Sequence, residues 1–475
     1  MRRYFLLWGI VVSAAVNSVA QTGNSLPMPT RAQLAWQEME FYLFMHFGPN
    51  TFTDLEWGHG TEKEEVFNPT NLDCEQWCRI AKASGAKGII ITAKHHDGFC
   101  LWPSKFSKHT VRESNWKEGK GDVLKELSAA CKKYELKFGV YISPWDRNHP
   151  DYGTEKYNDV FVNMMKEIFT NYGPVWELWW DGANGEGPNG KKQVYDWKRF
   201  EQTVRTLSPN TVVFSDIGPD IRWCGNENGV AGKTNWNTLD TAGFTRGAGA
   251  PSQDTLNAGN VNGKNWIPAE CDVSIRPGWF YHKAEDNKVK TPEQLFDLYL
   301  KSVGRGANLL LNVPPDGRGL INENDSAALV GFKKLKDVAF GKNITKGGKG
   351  YFVSLSNKRF TNKLTDGNTK TFETDSFYYQ QSMLIEFPKA RKINCIVLRE
   401  NIQNGQHSRS FTVLLMNTKT QFYQEIKATT IGNKRILTFP AVEADNIGLI
   451  IGHQKWFTQI SEMEAYLIDD KLIEK

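Results

Sequence analysis

The sequence predicts an α/β protein: a (β/α)₈ TIM-like barrel over residues 21–345, followed by a C-terminal all-β sandwich over 346–475. Three observations support this prediction. Helix and strand signals alternate from about 35 to 340, the predicted strands are almost wholly apolar, and helix signals stop near 351. Apolar strands preceded by amphipathic helices are typical of a parallel sheet covered on both faces. A span of roughly 300 residues favours a closed barrel over an open doubly wound sheet.

The predicted barrel is built from repeated helix–strand units. In the first unit Asp73 is a helix N-cap, Gln76 completes the capping pattern, and Gly85 ends the helix before an apolar strand. The same order of amphipathic helix and apolar run recurs along the chain. The predicted helices are 73–84, 122–134, 157–172, 197–207 and 324–338, and the predicted strands are 88–93, 137–143, 175–181, 211–216 and 308–313.

The glycine-rich stretches of this region lack the spacing of a phosphate-binding loop. Residues 182–187 do not fit the dinucleotide pattern, and Glu227 stands where a Walker motif ending at 232–234 requires glycine. We therefore expect no nucleotide cofactor.

From about Tyr351 onward the sequence is typical of a β-sandwich. Short alternating stretches separated by turn residues predict strands at 382–387, 394–399, 410–415 and 447–451, after a Gly- and Lys-rich link at 341–350. Residues 365–368 resemble part of the galactose-binding-like jelly-roll domains. Both a carbohydrate-binding role and a purely structural role stay open for this domain.

The first 20 residues are predicted to form a signal peptide. Arg2 and Arg3 make a charged start, residues 4–16 are apolar, and residues 18–20 fit a small-x-small cleavage site. The apolar run is too short to span a bilayer, and no later run is long enough. We expect export to the periplasm or the extracellular space, with cleavage near Ala20 and no membrane insertion.

Charge and cysteine content exclude several classes of protein. The formal charge is +5, and removing Arg2 and Arg3 lowers it to +3 (5 − 2), too weak to indicate a nucleic-acid partner. The seven cysteines are odd in number and lack zinc-site spacing, so we expect mostly free, buried thiols. They are Cys74, Cys78, Cys100, Cys131, Cys224, Cys271 and Cys395.

Residues able to do chemistry stand where predicted strands end, which in a TIM barrel is the catalytic face. Strand alternation puts Trp179 and Asp181 on the same side, so the Asp181 carboxylate is expected at the barrel mouth beside an indole. An aspartate at a strand end is often only a structural cap. The neighbouring tryptophan and glycine favour a functional role here.

Imidazoles and further acids occupy other predicted loops. His46, His95 and His96, together with Tyr141, could converge on one small polar ligand. Adjacent histidines usually point in different directions, so His95 and His96 are a poor metal pair, and we expect no metal. The acids are Asp181, Glu227, Glu270 and Glu56, with Trp57, Trp179, Trp223 and Trp279 nearby in sequence.

Paired carboxylates beside aromatic platforms are what glycosidic cleavage requires. One carboxylate attacks the anomeric carbon, and the other protonates the leaving oxygen and then activates water. Each acid taken alone could instead form a loop salt bridge. The set as a whole favours catalysis.

Six segments spread in order over the barrel resemble glycoside hydrolase family 29, the α-L-fucosidases. They are 44–48, 56–58, 94–99, 179–182, 274–279 and 312–317. The resemblance implies a retaining mechanism in which Asp181 is the nucleophile and forms a covalent fucosyl-enzyme. It also implies a set of residues that hold fucose: His46, Glu56, Trp57, His95, His96, Tyr141 and Trp179, with Arg276 and Trp279 as further substrate contacts.

Residues 222–229 resemble the acid/base loop of the linkage-selective branch, which cleaves α-1,3 and α-1,4 fucosyl bonds in Lewis-type branched glycans. On this match Glu227 is the acid/base and Trp223 lines the entrance. Glu270 is the alternative acid, because it is expected at the end of its own strand. Two other functions stay open: a broad-specificity α-L-fucosidase that also cleaves α-1,2 bonds, and a non-catalytic fucose-binding protein.

Overall fold

The structure is a computed structural model that describes residues 26–354, 357–374 and 382–473. The predicted signal peptide, residues 1–20, lies outside the described residues. Within the described ranges, no helix is both long enough and apolar enough to cross a bilayer.

Eight parallel strands close into a barrel. Each strand pairs with the next one along the chain, and the eighth pairs with the first, which confirms the predicted barrel. The strands are β1 (Phe41–Met45), β2 (Gly88–Lys94), β3 (Lys137–Ile142), β4 (Glu177–Trp179), β5 (Val212–Ser215), β6 (Ile221–Trp223), β7 (Ala269–Ser274) and β8 (Asn308–Asn312).

Most of the barrel helices begin at side-chain caps, and α3 does so as the sequence pattern predicts. The carboxylate of Asp73 accepts the backbone N–H of Gln76, and Gly85 ends that helix in a left-handed conformation with φ of 79°. The helices are α1 (Arg31–Gln37), α2 (Pro49–Thr53), α3 (Cys74–Ser84), α4 (Val123–Lys133), α5 (Lys156–Asn171), α6 (Trp197–Leu207), α7 (Gln253–Ala258), α8 (Pro292–Lys301) and α9 (Glu323–Ala339).

The sequence predicts no bounds for strands β6 and β7, because charged residues interrupt their apolar pattern. Arg222 in β6 is fully buried and donates to the carbonyl oxygens of Leu256 and Trp236 at 2.7 and 3.0 Å. The prediction that Glu270 ends its strand is wrong, because Glu270 is the second residue of β7 and lies near its start. Residues 216–220 join β5 directly to β6 without a helix, which departs from the regular alternation.

Aromatic rings fill the barrel interior and form the floor of the mouth. Trp36 from α1 is completely buried at the N-terminal end of the strands. Trp179 stacks on Phe214 with ring centroids 4.0 Å apart, and it also packs against Phe44 and Tyr141 at 5.5 and 5.3 Å. This layer supports the side chains that emerge at the carboxyl ends of the strands.

The C-terminal domain is an antiparallel sheet with its own hydrophobic core. Two predicted strands, 382–387 and 394–399, are one bent strand, because pairing continues past register shifts between Glu386 and Arg391 and between Ile393 and Cys395. The strands are β9 (Lys349–Val353), β10 (Lys358–Thr361), β11 (Ser382–Glu400), β12 (Ser408–Asn417), β13 (Phe422–Ala428), β14 (Arg435–Gln454) and β15 (Ile460–Tyr466).

A partly buried cluster of charges joins the two domains at the end of the barrel opposite the mouth. Glu40, directly before β1, accepts hydrogen bonds from Lys434 Nζ at 3.0 and 3.1 Å and from Tyr299 Oη at 2.9 Å. Arg399 Nη2 lies 3.3 Å from the same carboxylate. Burial alone would raise the pKa of Glu40, but Lys434 and Arg399 hold that pKa well below its usual value.

Candidate active site

Asp181 lies at the barrel mouth, two residues beyond the end of β4. Its Oδ1 accepts the backbone N–H of Ala183 at 2.8 Å, a local turn that ends the strand earlier than predicted. Its Oδ2 accepts the Tyr141 hydroxyl at 3.0 Å. The side chain is 25% exposed, so the carboxylate is held in place by hydrogen bonds yet open to a ligand.

His96 presents a hydrogen-bond acceptor beside this carboxylate. Its Nδ1 lies 2.8 Å from Ser143 Oγ, and that hydroxyl donates to the Trp145 carbonyl oxygen. Ser143 Oγ must therefore accept the Nδ1 proton, which leaves a lone pair on Nε2. Nε2 lies 3.6 Å from Asp181 Oδ2. Burial lowers the pKa of His96 to about 4, so the ring is neutral at physiological pH.

His46 is oriented in the same way from the end of β1. Asn312 donates its amide N–H groups to Ser274 Oγ and the Trp279 carbonyl, so its Oδ1 accepts from His46 Nδ1 at 2.8 Å. His46 Nε2 is then also an acceptor. Burial lowers the pKa of His46 to about 4. Asn312 and Ser143 lie in sequence segments already noted, but their orienting roles depend on contacts between different strands.

His95 completes the group of imidazoles. It stacks parallel to Tyr141 with ring centroids 5.8 Å apart, and its ring lies 4.2 Å from that of His96 and 5.7 Å from that of His46. Burial holds the pKa of His95 well below its usual value. The structure thus brings the three predicted histidines and Tyr141 together around one pocket. Among the described residues, no group of three or more His, Cys, Asp or Glu side chains could hold a metal ion.

Two residues of the loop after β1 form part of the rim. Trp57 is 53% exposed, and its ring lies edge-on to His96 at 5.4 Å. Both oxygens of Glu56 are already engaged, since they accept the backbone N–H groups of Trp279 and Phe280 at 2.8 and 3.1 Å. Glu56 therefore anchors the loop that carries Trp279.

Glu227 lies on the loop after β6 and is exposed. Gly225 and Gly229 on either side have positive φ values of 80° and 72°, which allow the tight path of this loop. Trp279 Nε1 donates to Glu227 Oε2 at 3.3 Å, and the Trp279 ring lies 5.2 Å from His46. Contacting rings thus connect Glu227 to the pocket that holds Asp181.

Glu270, the alternative acid, lies below the pocket. Its side chain is fully buried in the barrel, where Oε1 accepts Trp179 Nε1–H at 2.8 Å and Oε2 accepts the Tyr42 hydroxyl. This position follows from its place at the start of β7. A carboxyl group sealed under the aromatic floor cannot protonate a leaving group above it.

Arg276 is the predicted substrate contact that the structure places elsewhere. Its side chain is fully buried; Nε lies 2.9 Å from Asp325 Oδ2 and Nη1 lies 2.9 Å from Asp286 Oδ1. It therefore supports the loop of Trp279 from behind, in contrast to the expectation from sequence.

Trp223, which was expected to line the entrance, is half-buried, and its Nε1 donates to Asp272 Oδ1 at 2.9 Å.

Comparisons with known proteins identify relatives for the whole barrel and beyond. Residues 8–334 match the family model described as alpha-L-fucosidase. The chain is 40% identical to Alpha-L-fucosidase 1 of Arabidopsis thaliana, over 93% of this chain and 88% of that protein. A glycoside hydrolase 29 family member from an unknown rumen bacterium is 38% identical, with a TM-score of 0.82 over 94% of this chain and 78% of that one. A Ruminococcus gnavus GH29 fucosidase in complex with fucose is 29% identical, with a TM-score of 0.85 over 96% and 98%.

Proposed function

Because this chain belongs to the α-L-fucosidase family of glycoside hydrolases, we propose that it removes terminal fucose by a two-step retaining reaction. The observation that carries the proposal is the Asp181 carboxylate, which is fixed by Tyr141 and Ala183 and open at the mouth. A retaining glycosidase needs such a nucleophile and a second carboxyl group that acts first as acid and then as base.

In the first step an Asp181 oxygen forms a bond to the anomeric carbon of fucose while the glycosidic bond breaks. Glu227 gives its proton to the departing oxygen, so the remaining glycan leaves as a neutral alcohol. The exposure of Glu227 supports this role, because it can regain a proton from solvent.

In the second step Glu227, now ionised, accepts a proton from water. The water oxygen attacks the anomeric carbon and releases Asp181 as a carboxylate. Two displacements at the same carbon restore the original anomeric configuration, so the fucose is released as the α-anomer.

The neutral imidazoles are suited to hold fucose. Because Nε2 of His46 and Nε2 of His96 carry lone pairs, each can accept the proton of a sugar hydroxyl. Trp179 and Trp57 supply apolar surface, and packing against the C6 methyl group would disfavour sugars that carry a hydroxyl there by up to about 10²-fold.

These protonation states give an expected pH dependence. Inhibition by free fucose should stay constant from about pH 5 to 8 and should weaken as the pH falls towards about 4, where His46 and His96 gain protons and lose their acceptors. The inhibition constant measured at successive pH values tests this. A loss of binding centred on the ordinary histidine value of 6.5 would contradict it.

We further propose that the preferred substrates are α-1,3- and α-1,4-fucosylated, Lewis-type glycans. The support is the resemblance of residues 222–229 to the acid/base loop of the linkage-selective branch, with Glu227 and Trp223 at matching positions. Digestion of a panel containing Lewis-type and α-1,2-linked oligosaccharides and an aryl fucoside tests this. Faster cleavage of the α-1,2 or aryl substrates would favour the broad-specificity alternative, and fucose binding without turnover would indicate a non-catalytic protein.

Export is proposed from the pattern of residues 1–20. The mature protein would begin near Gln21. N-terminal sequencing of protein recovered from the periplasm or medium tests this, and an intact Met1 in that fraction would contradict it.

A further inference from the structure

Two carboxyl groups meet inside the barrel directly below the proposed fucose site. Glu177 on β4 and Glu270 on β7 are both fully buried. Glu270 accepts hydrogen bonds from Trp179 Nε1 and from the Tyr42 hydroxyl, and Glu177 Oε2 accepts one from Trp36 Nε1 at 2.9 Å. Within the described part of the chain, no ion pair involves either carboxyl group.

The hydrogen bonds around this pair indicate that one of the two carboxyl groups is protonated. Glu177 Oε1 receives no hydrogen bond from a described residue. Inside the barrel the Glu177 and Glu270 carboxyl groups are close enough for each to influence the charge of the other. Two adjacent carboxylates buried without a cation cannot both stay ionised. A proton on Glu177, donated to Glu270, removes one charge and supplies the missing bond.

The titration directions agree with this placement. Burial and the neighbouring Glu270 raise the pKa of Glu177 well above its usual value, and burial raises the pKa of Glu270 to about 7. The other titratable groups on the same side of the sheet as the pair are Tyr42 on β1 and Asp272 on β7, and burial raises the pKa of each. Because Asp272 also titrates, the change of Tm with pH has to be compared between the wild type and a variant of the pair.

We propose that Glu270 is a positioning residue for Trp179 and that it acts as one half of a carboxyl pair sharing a single proton with Glu177. The Nε1–H···Oε1 bond of 2.8 Å fixes the rotation of the indole, and the indole packs against Tyr141, whose hydroxyl holds Asp181. The carboxyl pair therefore fixes the position and orientation of the Trp179 indole, against which the sugar would pack. The kinetic part of this inference rests on the proposed function.

The shared proton is tested by thermal unfolding, which does not depend on activity. The folded wild type keeps on Glu177 a proton that the unfolded chain releases above about pH 4.5. Its stability therefore falls as the pH rises above that value, because the pKa of Glu177 is raised in the folded protein. In Glu177→Gln the amide N–H donates permanently to Glu270. Both proteins lose Tm between pH 5.5 and 8, and we expect the decrease in the variant to be smaller than that in the wild type by at least about 2 °C. Equal falls in the two proteins would overturn the shared proton.

The positioning role is tested by kinetics on an aryl fucoside at pH 6. Glu270→Leu removes the acceptor for Trp179 and should raise KM about tenfold, while Glu270→Gln, which keeps an acceptor oxygen, should restore most of the loss. Glu400→Gln is the matched control. Glu400 is a buried carboxyl group of the C-terminal domain whose pKa burial likewise raises to about 7, and it accepts the His407 N–H, far from Trp179 in the chain.

The outcomes separate the two proposals. An unchanged KM in a folded Glu270→Leu protein, or the same rise in Glu400→Gln, would overturn the positioning role. If the wild type does not hydrolyse fucosides, the proposed function fails, and the comparison of Tm values still decides whether the pair shares a proton.

Discussion

Asp181→Ala is expected to reduce turnover of an aryl fucoside by at least about 10⁴-fold. Without this carboxylate no fucosyl-enzyme can form, while the pocket made by His46, His96 and Trp57 stays intact. Free fucose should therefore still bind to the variant. Steady-state kinetics combined with calorimetric titration of fucose separates the loss of chemistry from the loss of binding.

Azide or formate should restore part of the activity of Asp181→Ala. A small anion can enter the space left by the side chain and attack the anomeric carbon from the same face. A single displacement inverts the configuration, so azide should yield the β-fucosyl azide, which NMR identifies. Glu186→Ala on the same loop is the matched control and should remain fully active. Rescue that yields only the α-product would argue against Asp181 as the nucleophile.

Glu227→Ala is expected to slow cleavage of fucosylated oligosaccharides by about 10²–10⁴-fold, the usual contribution of a general acid. Bond breaking in an aryl fucoside with a good leaving group should change far less, because that leaving group needs no proton. The ratio of kcat/KM for the two substrate types is the diagnostic measurement. Glu65→Ala, which removes another exposed loop carboxylate, should leave this ratio unchanged.

The same ratio distinguishes Glu227 from Glu270. Glu270→Gln should affect both substrate types equally, since it acts on the floor of the site. If Glu270→Gln slowed oligosaccharides much more than aryl fucosides, and Glu227→Ala did not, Glu270 would be the acid/base and Glu227 would not. The structure makes this outcome unexpected, because Glu270 is sealed beneath Trp179.

Much of the fold and the central pocket could be predicted from sequence, because both depend on local patterns. Apolar strands between capped helices give the barrel, and residues at strand ends give Asp181, His95 and His96. The bounds of strands β6 and β7 could not be predicted in this way, since Arg222 and Glu270 are buried polar residues whose partners come from distant segments. Their burial is a property of the closed barrel.

The direction in which a side chain points also could not be predicted from the sequence. Arg276 is next to residues that do reach the pocket, yet it turns towards Asp325 and Asp286. Glu56 turns towards backbone N–H groups of the Trp279 loop. For Arg276 the chemical type fits sugar binding, and only the positions of Asp325 and Asp286 show that it supports the site from outside. Glu56 stays 38% exposed at the rim, so its contact with fucose remains a prediction.

The charge cluster around Glu40 makes the base of the barrel depend on side chains of the C-terminal domain. A truncated barrel that stopped after α9 would lose Lys434 and Arg399, the two basic side chains that contact the Glu40 carboxylate. The C-terminal domain thus completes the base of the catalytic barrel. Attempts to shorten this enzyme, or to exchange its trailing domain for another, have to carry those two basic side chains along.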